Sequence, residues 1–217
     1  ESEYREVHQK AAVLYRKQPY FQLITTGKIS QKKLLFEKQH LERLRKASRY
    51  FAFPFDQEVL RQKLEKECLA CELSQDYRLR ISLSKSGEME LSRQNLTPLS
   101  PTFCKAKLCL QEADLQQAFT YFKTTHRPHL SLGEQEIIYH NAAGELLETS
   151  IGNLVLKIAG KLYTPPTSLG ILPGIYRQHL LETGQVEEKV LTLKDLAQAE
   201  TIYGCNAVRG LYELEVI

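Results

Sequence analysis

Apolar residues in this chain change period repeatedly, and the changes follow no regular order. Tyr77, Leu79, Ile81 and Leu83 alternate with polar residues, and Met89 and Leu91 resume the alternation beyond Gly87, which is the pattern of a β-hairpin. Cys104, Ala106, Leu108 and Leu110 keep the same period, as do Ile137 to His140 and Asn153 to Ile158, each bounded by Gly or Pro. Leu41, Leu44, Ser48, Phe51 and Phe55 instead recur at steps of three and four, predicting a helix that stops near Pro54. Leu60, Leu64 and Cys68 predict another, and Tyr4, Val7, Ala11 and Leu14 an earlier one ending before Pro19. Phe21 to Thr26 and Lys33 to Phe36 read as short strands joined around Gly27 through a polar turn. Residues 174–183 and 194–199 read as helices, and Thr201 to Cys205 and Leu211 to Ile217 as closing strands. The order describes an α+β fold of mixed sheets and inserted helices, and excludes the regular βαβα of a doubly wound sheet.

A chain of 217 residues can form one domain or two small lobes sharing a cleft. The expected division is an N-terminal lobe, 1–100, and a C-terminal lobe, 101–217, with Thr97 to Pro101 as the link. Basic and acidic residues, 29 and 26, are interspersed, so no charged tail points to nucleic acid or a membrane surface. Glu1 to Lys10 is polar, and no run approaches about 18 apolar residues. The expectation is a soluble cytoplasmic protein. Of the five cysteines, Cys68 and Cys71 read as a reduced structural pair rather than a zinc or redox site, and no metal site is expected.

Four clusters have the composition of a reactive site. In Phe119-Thr-Tyr-Phe-Lys-Thr-Thr-His-Arg127, Lys123 either snorkels to water from a strand end or is buried and desolvated, with the lowered basicity of a nucleophile. Glu148, between two leucines and small polar residues, is either a turn residue or a buried acid awaiting a cation. The loop Leu169-Gly-Ile-Leu-Pro-Gly-Ile-Tyr-Arg177 runs into a helical pattern; it is a simple turn, or a helix N-terminus offering amides to phosphate. In Tyr203-Gly-Cys-Asn-Ala-Val-Arg-Gly210, Asn206 reads as the residue that satisfies a bend.

Taken in order, Arg43 in His-Leu-x-Arg-Leu, the Lys123 segment, the Glu148 segment, the Pro-Gly-Ile loop and the Asn206 loop resemble the successive signatures of the class IV aminotransferases, the fold-type IV pyridoxal-phosphate enzymes. Lys123-Thr-Thr-His-Arg127, Cys205-Asn206-Ala207 and Phe21-Gln-Leu-Ile-Thr-Thr26 are most similar to the aminodeoxychorismate lyase branch, including the lyase domain fused behind aminodeoxychorismate synthase component I. The resemblance implies a two-lobed fold like D-amino-acid aminotransferase, with the cofactor in the cleft between lobes. It implies that Lys123 carries pyridoxal 5'-phosphate and acts as base, that Glu148 pairs with the ring nitrogen, and that Arg43, Ile175, Tyr176 and Asn206 hold the phosphate. Thr25 or Thr26 would protonate the departing enolpyruvate, and Arg127 and Arg209 would bind substrate carboxylates.

The implied reaction releases 4-aminobenzoate and pyruvate from aminodeoxychorismate. The implied assembly is a homodimer, fused to or acting after the synthase. A branched-chain or D-amino-acid transaminase would use the same cofactor contacts, and a non-catalytic domain partnering a chorismate-using synthase would keep the fold alone. Two positions depart from the family pattern: Pro128 to Gln135 is short where a helix-bearing segment is usual, and Gly152 replaces a small residue such as alanine, a change expected to be tolerated.

Overall fold

The computed structural model describes residues 19–111, 118–131 and 133–217. The helix expected over Tyr4 to Leu14 lies outside them. Strands β1 (Leu23–Ser30), β2 (Lys33–Leu34), β3 (Tyr77–Leu83) and β4 (Met89–Asn95) form an antiparallel sheet in the order β2-β1-β3-β4. The first turn falls at Gln31 and Lys32, both with positive φ, and not at Gly27 as the sequence suggested. Two successive left-handed residues suit the twist of a tight hairpin. Strand β1 runs on through Gly27 because the His40 ring fills the space of a side chain there: a Cβ would lie 2.5 Å from His40 Nε2.

Helices α1 (Glu37–Phe51) and α2 (Gln57–Leu69) cover one face of this sheet. Leu41 and Leu44 of α1 and Leu60 and Leu64 of α2 pack with Leu23, Ile29, Leu79, Ile81 and Leu83 in one buried cluster. Truncating a fully buried leucine such as Leu44 would cost about 2–5 kcal/mol. Helix α1 stops at left-handed Ala52, before the predicted Pro54. The Asp56 carboxylate caps α2 by accepting from Glu58 N and Val59 N at 2.9 and 3.1 Å. Cys68 and Cys71 are buried and free.

The second sheet contains β5 (Lys105–Leu110), β6 (Glu136–His140), β7 (Leu146–Thr149), β8 (Asn153–Ile158), β9 (Lys161–Thr164), β10 (Glu187–Glu188), β11 (Thr201–Asn206) and β12 (Gly210–Val216). Its order is β10-β9-β8-β11-β12-β5-β6-β7, and β7 also pairs with β8. Strands β8, β11, β12, β5, β6 and β7 therefore close into a ring around Ala106, Ile138, Leu146, Leu154, Leu156 and Leu214. Helices α3 (Ala118–Tyr121), α4 (Ile175–Glu182) and α5 (Leu193–Gln198) lie between strands. Thr192 caps α5 in a reciprocal capping box with Asp195.

After α3 the chain extends along β1: Ile24 N donates to Lys123 O at 3.0 Å and Thr125 N to Gln22 O at 2.9 Å. Lys123 is thereby pinned where the two sheets meet.

Candidate active site

A cavity of about 480 Å³ occupies this seam. Ile24, Thr26, Arg78 and Arg80 line it from the first sheet; the β7–β8 turn, the start of α4 and the β11–β12 turn line it from the second. Lys123 lines it as well, and burial, then the charges of Arg43, Arg127 and Arg78, lower its pKa from 10.5 to about 7. Half of its amines are then neutral near pH 7, and a neutral amine is the nucleophilic form. Lys123 is half-buried on the cavity wall, a placement that favours the desolvated reading over a side chain reaching to bulk water.

Glu148 is the second to last residue of β7, a strand buried along its whole length. Its side chain is only 3% exposed and accepts from Arg127 Nη2 at 3.2 Å and from Leu172 N at 3.4 Å. Burial raises its carboxyl above the ordinary range, opposed chiefly by the Arg127 charge. Glu148 is the buried acid with a cation against it.

The phosphate-binding candidates gather at one end. Gly174 caps α4 without a side-chain hydrogen bond, leaving the first helical amides, those of Ile175 and Tyr176, available to an anion. A Cβ at Gly174 would sit 1.8 Å from Asn153 Oδ1, so the close approach of this loop to β8 requires glycine. Arg43 lines the same cavity, donates to Pro173 O at 2.7 Å, and has its pKa pulled down to about 10 by burial and the Arg127 charge. Asn206 Oδ1 accepts from Val208 N and Arg209 N, both at 3.0 Å, and so shapes the β11–β12 turn. The Tyr176 ring instead packs edge-on to Phe36, and its hydroxyl lies near Gly210 outside the cavity lining.

The two candidate threonines separate. Alternation along β1 points Thr26 into the cavity and Thr25 away from it, where its hydroxyl pairs with His40 Nδ1 at 2.6 Å. Burial, then Arg43 and Lys123, lower the His40 pKa to about 3, so the ring is neutral.

Arg78 and Arg80 are site residues that sequence reasoning missed. They stand two apart on β3, Arg80 directly opposite Thr26, and both line the cavity. The signal available is the Arg-x-Arg step on a predicted strand, which places both on one face; such a charged face ordinarily meets solvent. Arg209 lines the same region and donates to Thr97 O. Among the described residues no carboxylate lies within ion-pair distance of Arg78, Arg80 or Arg209, and burial and mutual repulsion lower the pKa of Arg78. Among the described residues Glu148 is the single acid in the cavity lining, against Arg43, Arg78, Arg80, Lys123, Arg127 and Arg209.

Together the closed second ring, the four-stranded first sheet and the lysine at their seam define a fold-type IV enzyme. Residues 22–217 match the family described as amino-transferase class IV, and the chain belongs to it. Members of this family depend on pyridoxal phosphate and act as lyases or transaminases.

The chain is 29% identical over 119 residues to aminodeoxychorismate lyase of Saccharomyces cerevisiae, covering 43% of this chain and 32% of that protein. It spans about a third of the length of the curated relatives it matches, 35% and 32%. A Mesorhizobium loti structure provisionally named an amino-acid aminotransferase superposes with TM-score 0.81 at 27% identity, over 91% of this chain and all of that one. A Haemophilus somnus structure provisionally named a 4-amino-4-deoxychorismate lyase superposes with TM-score 0.70 at 25% identity, over 89% of this chain and all of that one. Among the described residues no helix is long and apolar enough to cross a membrane, and no cluster of His, Cys, Asp or Glu is arranged to hold a metal.

Proposed function

We propose that this chain is a pyridoxal-phosphate-dependent lyase that converts 4-amino-4-deoxychorismate to 4-aminobenzoate and pyruvate. The observation that carries the choice of substrate is the set of arginines on the cavity wall, Arg78, Arg80 and Arg209, that have no acidic partner among the described residues. A substrate with two carboxylates matches such a wall, because guanidinium groups bind carboxylates in paired hydrogen bonds. Arg127, paired with Glu148 in this structure, would join them once Glu148 turns to the cofactor.

The residues present fit the cofactor. Gly174 admits a group close to the amides of α4, Arg43 stands beside them, and the buried Glu148 faces a lysine of lowered basicity. Pyridoxal phosphate, when bound, supplies an electron-withdrawing ring that stabilises negative charge on the carbon bearing the substrate nitrogen. Arg43, the Ile175 and Tyr176 amides and the Asn206 turn would hold its phosphate. Glu148 would hold a proton at the ring nitrogen, taking over from its contact with Arg127. Lys123, once free, would remove the ring proton at the carbon bearing the amine. Thr26, which lies across from Arg80, would give a proton to the departing enolpyruvate. One proton leaves the ring and one is taken up by enolpyruvate, so the step needs no oxidant and no amino acceptor.

The test supplies aminodeoxychorismate to the cofactor-loaded protein without any 2-oxo acid. Pyruvate and 4-aminobenzoate appearing in equal amounts support the reading. Turnover that appears only when a 2-oxo acid and an amino donor are both present would replace it with transamination.

A further inference from the structure

Glu136 opens β6 with no exposed surface, and among the described residues no basic side chain lies within ion-pair distance. Three donors converge on it instead. Ser150 Oγ–H and Ile151 N–H, the latter at 3.2 Å, reach Oε1, and Tyr212 O–H reaches Oε2 at 3.0 Å. Burial pushes the carboxyl up and the donors pull it back down. An apolar side chain in this ring would cost less than a buried carboxylate, so stability alone does not account for Glu136.

The two donors on Oε1 belong to the wall of the active site. Ser150 and Ile151 line the cavity, in the turn that starts at Glu148 and ends at Asn153. Ser150 N also donates to Ile137 O at 3.0 Å, Thr149 N to Gly152 O at 2.9 Å, and Asn153 Nδ2 to Leu172 O at 2.8 Å. The turn is thus tied to β6 on one side and to the loop before α4 on the other.

Tyr212 reaches Glu136 across one glycine, Gly204, and beside a second, Gly152. A Cβ at Gly204, its cross-strand partner, would lie 2.4 Å from the Tyr212 ring. One at Gly152 would lie 2.5 Å from Cys205 O and 3.2 Å from the Tyr212 hydroxyl. Gly152, a departure from the family pattern expected to be interchangeable with alanine, is required here first by the Cys205 carbonyl, with the Tyr212 hydroxyl beside it.

We propose that Glu136 and Tyr212 are positioning residues that, through Ser150 and Ile151, fix the 148–153 turn and so the direction in which Glu148 enters the cofactor cavity. The inference rests on the reading that this cavity holds pyridoxal phosphate. Tyr212→Phe keeps the ring and removes one donor; Ser150→Ala removes another from the opposite side; Glu136→Gln removes the charge they share. Each is compared with wild type by equilibrium dialysis against pyridoxal phosphate, by the pH dependence of the bound cofactor's absorption, and by urea unfolding of the cofactor-free protein.

Tyr212→Phe and Ser150→Ala are expected to weaken cofactor binding roughly tenfold and to move the pH at which its spectrum changes. Leu156→Val, a packing change in the same ring, should lower the unfolding midpoint and move neither. Cofactor affinity within twofold of wild type and an unmoved spectrum in Tyr212→Phe and Ser150→Ala would overturn the positioning role while leaving the function proposed above intact. No binding by wild type would overturn both. Should Glu136→Gln fail to fold, the two milder variants still decide the question.

Discussion

Replacing Arg127 with methionine would leave Glu148 buried without its cation, and the consequence depends on pH in a direction that can be worked out. At 3.2 Å and an effective dielectric near 20, the pair attracts by about 5 kcal/mol, and removing one partner of such a pair costs about 3–5 kcal/mol. Glu148 can escape part of this by taking up a proton. Its carboxyl is already raised by burial, with Arg127 the largest opposing influence, so the variant's value lies higher still. A carboxyl whose folded pKa exceeds its unfolded value loses stability as pH rises through the interval between them, and levels off above the folded pKa. The interval extends further up in the variant, so its deficit relative to wild type grows with pH, by up to about 1.4 kcal/mol per unit. Lys123 acts in the same direction, since losing Arg127 relieves a charge that depresses its pKa and so reduces the penalty of its protonation at low pH. Urea unfolding of the cofactor-free proteins at pH 5, 6, 7 and 8 measures this. A deficit of equal size at pH 5 and pH 8 would refute the reasoning.

The pH at which Lys123 reacts should be far from that of surface lysines. With a pKa of about 7, roughly three-quarters of its amines are neutral at pH 7.5, against about one in a thousand for an ordinary lysine. Acylation of the Lys123 peptide, followed by mass spectrometry, should titrate with a midpoint near 7; a midpoint near 10 would show that the amine is not desolvated. The threonines should divide by role: Thr25→Val should cost about 1–3 kcal/mol by stranding the His40 ring, whereas Thr26→Val should lower turnover with little change in stability. The opposite pattern would contradict the assigned facing of β1.

Elements with clean periodicity were legible in the sequence, and those buried on both faces were not. The β3–β4 hairpin showed its alternation because one face is packed and the other is not. Strand β7 is buried throughout, so Leu146-Leu-Glu-Thr149 has no alternation, and the sequence left Glu148 as either a turn residue or a buried acid. The Gly27 turn was misplaced because glycine there serves the close approach of His40, which no local pattern reveals. Lys123, Glu148, Arg43, Ile175 and Asn206 were found by their order along the chain, and the structure brings all of them to one cavity. Thr25 was named with a neighbour that does face it, and one step along a strand sends a side chain elsewhere; Tyr176 keeps its amide at the helix start while its ring turns to Phe36. Arg78 and Arg80 were missed because a charged face on a strand ordinarily means solvent.

The most direct test of the account is borohydride reduction of the protein after incubation with pyridoxal phosphate, followed by mass spectrometry of its peptides. The account predicts a yellow protein whose reduced cofactor is found on Lys123, with Lys123→Ala folded but neither coloured nor active. An uncoloured wild-type protein, or an adduct scattered over surface lysines with Lys123 unmodified, would contradict it.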